Sequence, residues 1–250
     1  MAPDATPRSS PGAAPERRAS TGFVPSSHGL RFDNAFPGGP ALTVDLGVTR
    51  LGIGNAARGL CGGMVFTALD YWTLCRPPPD DVAPPAPSSP HFRYLLRRLI
   101  DSWGLPAGPL TYLTLMHPLC PDGDRAVGPL TVRGRGWRMV TREWPAVRAR
   151  LATGRPCPLG LVTVSSGRPT DIGANHQALA HGYEQVGTDL RIRVYDPNRA
   201  GADDVALTLD LADPTRPVPV TMGSAAGPGR RVLCFFPVRY EPRTPPGPVP

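Results

Sequence analysis

The sequence predicts an α+β domain, on three observations. Apolar residues recur at helical spacing up to about residue 152, they alternate with polar ones beyond residue 155, and the two patterns are segregated along the chain. Segregation argues against alternating βαβ units and a parallel sheet.

Taken in order, residues 1–21 are rich in Pro, Ala, Ser and Arg and nearly devoid of large apolar residues, which predicts a disordered leader. A helix is expected over residues 60–74, where Met64, Ala68 and Trp72 adjoin a second stripe of Cys61, Val65 and Leu69. Residues 76–90, RPPPDDVAPPAPSSP, read as a surface loop inside one domain, because Pro removes donors and restricts its predecessor. The next helix opens with Ser89 as N-cap and Pro90 at its first position. It places Phe92, Leu95, Leu96, Leu99, Ile100 and Trp103 on one face and ends at Gly104. A third helix, residues 143–152, aligns Trp144, Val147 and Leu151 and stops at Gly154. Strands are then expected at 159–164, 176–184, 190–195, 205–211 and 232–240, followed by a disordered tail over 241–250. The 34 Pro and 28 Gly concentrate in the two ends and the internal loop. Residues 22–240 therefore form one domain of ordinary size, and the four Trp are expected in its core.

A net charge of +7 and a pI near 9.6 raise nucleic-acid or anionic-membrane binding as a first idea. All 27 basic residues are arginine, however, and they are scattered among Asp and Glu with only short runs such as Arg97-Arg98 and Arg230-Arg231. A nucleic-acid surface needs a basic stripe with interleaved aromatics, so no nucleic-acid partner is expected. No segment has the apolar run of a membrane span or a signal peptide, so no membrane partner is expected and a reduced, cytoplasmic setting is.

The five cysteines, Cys61, Cys75, Cys120, Cys157 and Cys234, contain no CxxC pair, so neither a zinc knuckle nor a thioredoxin-type motif is expected, and no metal or cofactor. Gly38-Gly39 lacks the Lys and the strand-to-helix context of a phosphate loop. Asp80-Asp81 and Asp203-Asp204 read as solvated loop carboxylates, and His28 and His117 as turn residues.

Cys61 differs from the other thiols. Gly59-Leu60-Cys61-Gly62-Gly63-Met64 sits where a loop becomes a helix, and the positive end of a helix favours thiolate. Gly62 and Gly63 are poor helix formers, and their missing side chains are expected to admit a substrate backbone. A base is available in His176, at the start of a predicted strand. If the following turn centres on Gly187, residues whose numbers sum to 374 face each other, which brings Asp196 within reach of His176 and turns His181 to the other face. A tighter turn at Gly187-Thr188 would shift pairing by one and separate them. Cys, His and Asp so placed make a nucleophile, a proton shuttle and an orienting carboxylate.

A Cys opening an N-terminal helix, a distant strand that begins Asn175-His176, and a hairpin that ends Tyr195-Asp196-Pro197-Asn198 together resemble papain-like cysteine peptidases. Within these they are most similar to the bacterial branch of bacteriocin-leader peptidase domains. The resemblance spans residues 52–196 and implies a papain-like fold, peptide or protein substrates and a Cys61–His176–Asp196 triad. It also implies an oxyanion-hole amide just before the Cys. The family places a Gln there; the nearest amide in this chain is Asn55, six residues before Cys61. Two other readings stay open: a papain-like binding or scaffold module without activity, and a transglutaminase or acyltransferase built on the same three residues.

Overall fold

A computed structural model describes residues 16–36, 42–45, 50–53, 60–225 and 227–246. It is an α+β fold in which helices pack on one curled antiparallel sheet. The helical part contains α1 (Pro25–His28), α2 (Cys61–Thr73), α3 (Pro90–Ser102) and α4 (Ala107–Met116). It continues into a run made of α5 (Arg135–Arg138), a π turn at Met139–Glu143 and α6 (Trp144–Ala152). Strand β1 (Glu16–Ser20) precedes α1, and two small hairpins lie apart from the main sheet: β2 (Leu42–Asp45) with β3 (Arg50–Ile53), and β4 (Arg125–Val127) with β5 (Leu130–Val132). The main sheet is completed by β6 (Cys157–Val162), β7 (His176–Val186), β8 (Asp189–Tyr195), β9 (Ala206–Asp210), β10 (Val220–Ser224), β11 (Gly227–Val232) and β12 (Cys234–Pro237).

The strand order is β11-β10-β9-β8-β7-β6-β12, with β1 pairing the far half of β7. Strands β11 and β12 occupy opposite ends of this order yet are joined through Leu233 alone, whose N–H donates to the Val162 carbonyl. A single linking residue spans only ~7 Å, so the sheet curls until its two edges meet there. The expected strand over 232–240 is therefore corrected: Val232 closes β11 on β10, while Cys234–Pro237 pairs with β6.

The two principal helices follow the sequence closely. Ser89 caps α3 by accepting the Phe92 N–H at 3.1 Å, with Pro90 behind it. Helix α2 is buried along almost its whole length, from Cys61 to Tyr71, which explains its apolar residues on more than one stripe. The third expected helix begins earlier than predicted. Pro145 reads as a helix start because it has no N–H, but the run continues back through it by widening into the π turn at Met139–Glu143. Helix α4 and strands β1 to β5, β10 and most of β11 were not expected.

The described residues of both predicted tails are ordered. Residues 16–20 form β1 rather than leader, because the last half of β7 lies beyond the end of β6 and offers a free edge. The segment 241–246 is fastened by side chains instead of by a ladder. Arg98 donates to Glu241 O at 2.9 Å, the Arg243 N–H donates to Asp70 Oδ1 at 2.9 Å, and Tyr71 Oη donates to Pro246 O. Behind them the fully buried Arg98 and Asp70 form an ion pair at 2.8 Å. Residues 76–88 carry no helix or strand, as the proline content requires.

The core has two parts. The larger joins the sheet to α2, α4 and α6, with Trp144 edge-on to Tyr183 at 5.0 Å between ring centroids. The smaller joins Leu60 and Met64 of the α2 start to Leu95 and Leu99 of α3 and to Leu30, Phe32 and Phe36. Of the four tryptophans only Trp144 is fully in the core. Trp72 and Trp103 pack at its margin, and Trp137 lies beneath the Arg133 and Arg142 guanidinium groups.

Candidate active site

Cys61, His176 and Asp196 come from three elements, the first residue of α2, the first residue of β7 and the residue that follows β8, and they meet in the interior. They are 9%, 5% and 5% exposed. His176 Nε2 and Asp196 Oδ1 lie 2.7 Å apart. A carboxylate only accepts, so Nε2 carries the donated proton and Nδ1 is the nitrogen left to exchange a proton with the thiol. Asp196 is itself held by an Asx turn, in which the Asn198 N–H donates to Oδ1 at 3.0 Å. Tyr112 Oη donates to the His176 carbonyl at 3.1 Å and pins the backbone of the base.

The electrostatics of the three groups are coupled. Burial opposes a charged imidazole, but the Asp196 hydrogen bond and the interaction with Cys61 outweigh it and raise the His176 pKa to about 9. Burial likewise pushes the Cys61 thiol up. The His176 hydrogen bond and charge, with the N–H groups of Gln177 and Gly62, bring it below its ordinary value. Burial pushes Asp196 up, but the His176 hydrogen bond and charge, with the Asn198 N–H, hold it below the usual carboxylate range. Cys157 and Cys234 show what burial does without an imidazole beside the thiol: both rise to about 12, and Cys120 also shifts upward. Among Cys61, Cys120, Cys157 and Cys234, Cys61 alone has surroundings that lower its pKa.

The glycines after Cys61 have a different cause from the one expected. A Cβ on Gly62 would lie 2.2 Å from Ser102 Oγ and 2.9 Å from Gln177 Oε1, and one on Gly63 would lie 2.2 Å from the Leu95 carbonyl. They are small so that α2 can sit tightly on α3 and β7, and that packing seats Cys61 against His176. Asn55, expected to complete an oxyanion hole, lies outside the described residues, as do Gly38 and Gly39. The N–H groups at the α2 start remain as donors.

The other sequence candidates are drawn into structural work. Asp80 pairs with Arg31, Asp81 faces His91, and Asp203 accepts from Ser26. His28 Nδ1 and His117 Nδ1 each accept a nearby backbone N–H. His181 is buried beside Phe23 and Arg193, away from the triad. Among the described residues no group of three or more His, Cys, Asp and Glu could hold a metal ion, and no helix is long and apolar enough to cross a membrane.

Sequence reasoning missed Gln177 and Asn34. Gln177 is buried, its backbone N–H faces the thiol and its Oε1 has no hydrogen-bond partner among the described residues. The signal for Asn34 was present in the alternation Leu30-Phe32-Asn34-Phe36, which puts a polar residue in an apolar row. A cavity of about 1000 Å³, lined in part by Trp72, Arg76, Arg155 and Tyr240, lies at the opposite end of α2 and shares no residue with the triad.

Comparison with protein-family models, with curated proteins and with solved structures finds no match to this chain.

Proposed function

We propose that the protein is a thiol-dependent acyl hydrolase. Within that class, we read it as a papain-like cysteine peptidase acting on a peptide or protein substrate. The observation that carries the reading is the buried Cys61–His176–Asp196 line, in which one thiol is shifted down while the imidazole beside it is shifted up. The order of elements agrees with it, with a Cys at the head of a buried helix, His at the start of a strand and Asp just past the end of its antiparallel neighbour.

In this mechanism the Cys61 thiolate attacks the carbonyl carbon, and the carbonyl electron pair moves onto oxygen, where N–H groups of the α2 start stabilise it. The oxyanion collapses, the carbon–nitrogen bond breaks, and the His176 imidazolium gives its proton to the leaving amine. Neutral His176 then removes a proton from water, whose oxygen displaces Cys61 from the acyl group. Asp196 keeps Nε2–H fixed and leaves Nδ1 for these transfers.

Replacing Cys61 by Ala should abolish labelling by a thiol-reactive acyl probe and leave thermal stability nearly unchanged. Equal labelling of the variant would sink the reading. The near-complete burial of all three side chains favours a second reading, a scaffold of the same architecture without turnover. The two separate on product: an acyl-Cys61 adduct that water releases supports the hydrolase, and a permanent adduct or none supports the scaffold. Addition of a primary amine completes the test, because amide formation in place of hydrolysis identifies a transferase.

A further inference from the structure

The triad residues sit on elements far apart in sequence, so something must fix the Cys-bearing helix relative to the Asp-bearing turn. Residues 30–36 run between them. Leu30, Phe32 and Phe36 are buried in the smaller core with Leu60, Met64, Leu95 and Leu99. Asn34, in the same alternating row, makes three hydrogen bonds that reach both sides. Its Oδ1 accepts the Leu60 N–H at 2.6 Å, its Nδ2 donates to Asn198 Oδ1 at 3.0 Å, and its backbone N–H donates to the Pro197 carbonyl at 2.9 Å.

The partners are what make this arrangement specific. Leu60 immediately precedes Cys61 and is the N-cap of α2, where it has no side-chain cap of its own. Pro197 and Asn198 immediately follow Asp196, and the Asn198 N–H is the group that completes the Asp196 Asx turn. One amide side chain therefore supplies an acceptor to the residue before the nucleophile and a donor to the turn of the orienting carboxylate. Neighbouring contacts brace the same strap: Asp33 Oδ1 accepts the Ala200 N–H at 2.7 Å, and Gly29 lies so close to the Tyr195 ring that a Cβ there would meet it at 2.8 Å.

We infer that Asn34 is the positioning residue of the site, holding the α2 start and the Asp196 turn at the spacing that lets Cys61 and His176 exchange a proton. The inference rests on the reading of Cys61 as a paired thiolate. Asn34 acts through Leu60 and Asn198 and touches no reacting atom. Losing its side chain lets the two halves of the site relax independently, which weakens the His176 interaction and returns the thiol toward its ordinary pKa.

The test is the pH dependence of iodoacetamide alkylation, read at the Cys61 peptide by mass spectrometry so that the exposed Cys75 does not contribute. Wild type, Asn34→Ala and Ser89→Ala are compared. The last removes the α3 N-cap, a loss of ordinary size for a cap that is remote from the triad. Asn34→Ala should slow alkylation at pH 6 by about tenfold and move its midpoint up toward ~8.5, while Ser89→Ala keeps the wild-type midpoint whatever its melting temperature. A wild-type midpoint in Asn34→Ala overturns the positioning role. A wild-type protein whose own midpoint is that of an ordinary thiol overturns instead the paired thiolate beneath it. If Asn34→Ala does not fold, Asn198→Ala, which leaves the Leu60 bond intact, should give a smaller shift in the same direction, and no shift there overturns the inference equally.

Discussion

His176 Nε2 lies 2.7 Å from Asp196 Oδ1 although the hairpin that joins the two residues starts out of register for that contact. The turn is the tight one: Val186 pairs with Asp189 across Gly187, at φ 58°, and Thr188. From Val186↔Asp189 to Gly182↔Arg193 the paired numbers sum to 375, a register that would leave Asp196 opposite Leu179, on the other face of the sheet from His176. A bulge at His181 removes the difference, and Ala180↔Val194 and Leu179↔Tyr195 resume at 374. The bulge thus restores the contact that the turn would have broken. Thr21 anchors it, its N–H and Oγ1 both bonding to the His181 carbonyl, at 3.0 and 2.9 Å.

The bulged residue carries its own pH signature. His181 is buried with Nε2 unpartnered among the described residues, and burial, with Arg193 nearby, lowers its pKa to about 4. An imidazole depressed in the folded state leaves the unfolded chain binding more protons, so stability is full above ~6.5 and falls as pH drops toward 4. The loss reaches up to about 3 kcal/mol. His181→Gln should flatten this part of the curve of urea midpoint against pH.

The triad itself predicts the opposite slope. A folded-state His176 value near 9 means that its protonated form stabilises the fold fully below ~6.5 and that this contribution disappears as pH rises through 9. Asp196→Asn should therefore cost about 2 kcal/mol near pH 6.5 and little at pH 10, measured by urea unfolding at the two values. A loss of equal size at both would show that Asp196 acts by packing alone.

Close packing at the head of α2 gives a third expectation. Gly63→Ala forces a Cβ onto the Leu95 carbonyl, which belongs to the α3 backbone and cannot swing aside, and should cost at least ~2 kcal/mol. Gly62→Ala meets chiefly the Ser102 hydroxyl, so Ser102→Gly in the same chain should recover part of its loss. A double-mutant cycle by chemical denaturation checks the coupling.

The tail provides a fourth. Ending the chain after Tyr240 exposes the Asp70–Arg98 pair and removes acceptor and donor groups from both. The expected loss is ~1–3 kcal/mol, seen as a lower melting temperature with no change in Cys61 alkylation.

The helices on either side of the Pro-rich segment were legible because burial pattern, capping residue and proline all pointed the same way at Ser89-Pro90 and along Met64, Ala68 and Trp72. The approach of His176 to Asp196 was legible in outcome and not in cause, since nothing in Ala180-His181-Gly182 announces that one residue drops out of the ladder. Strand β1 and the 241–246 segment were illegible for a related reason. Their order comes from groups elsewhere, a free edge of β7 and a buried Arg98, while their own residues carry too little apolar surface to signal structure. The purpose of Gly62 and Gly63 depends on α3, which local sequence does not reveal.

The most direct measurement compares the pH profile of Cys61 alkylation in wild type and His176→Gln. A thiol whose pKa is lowered by an imidazolium reacts well below the ordinary ~8.5 in wild type and follows that ordinary titration once His176 is replaced. Superimposable curves in the two proteins would contradict the pairing of Cys61 with His176.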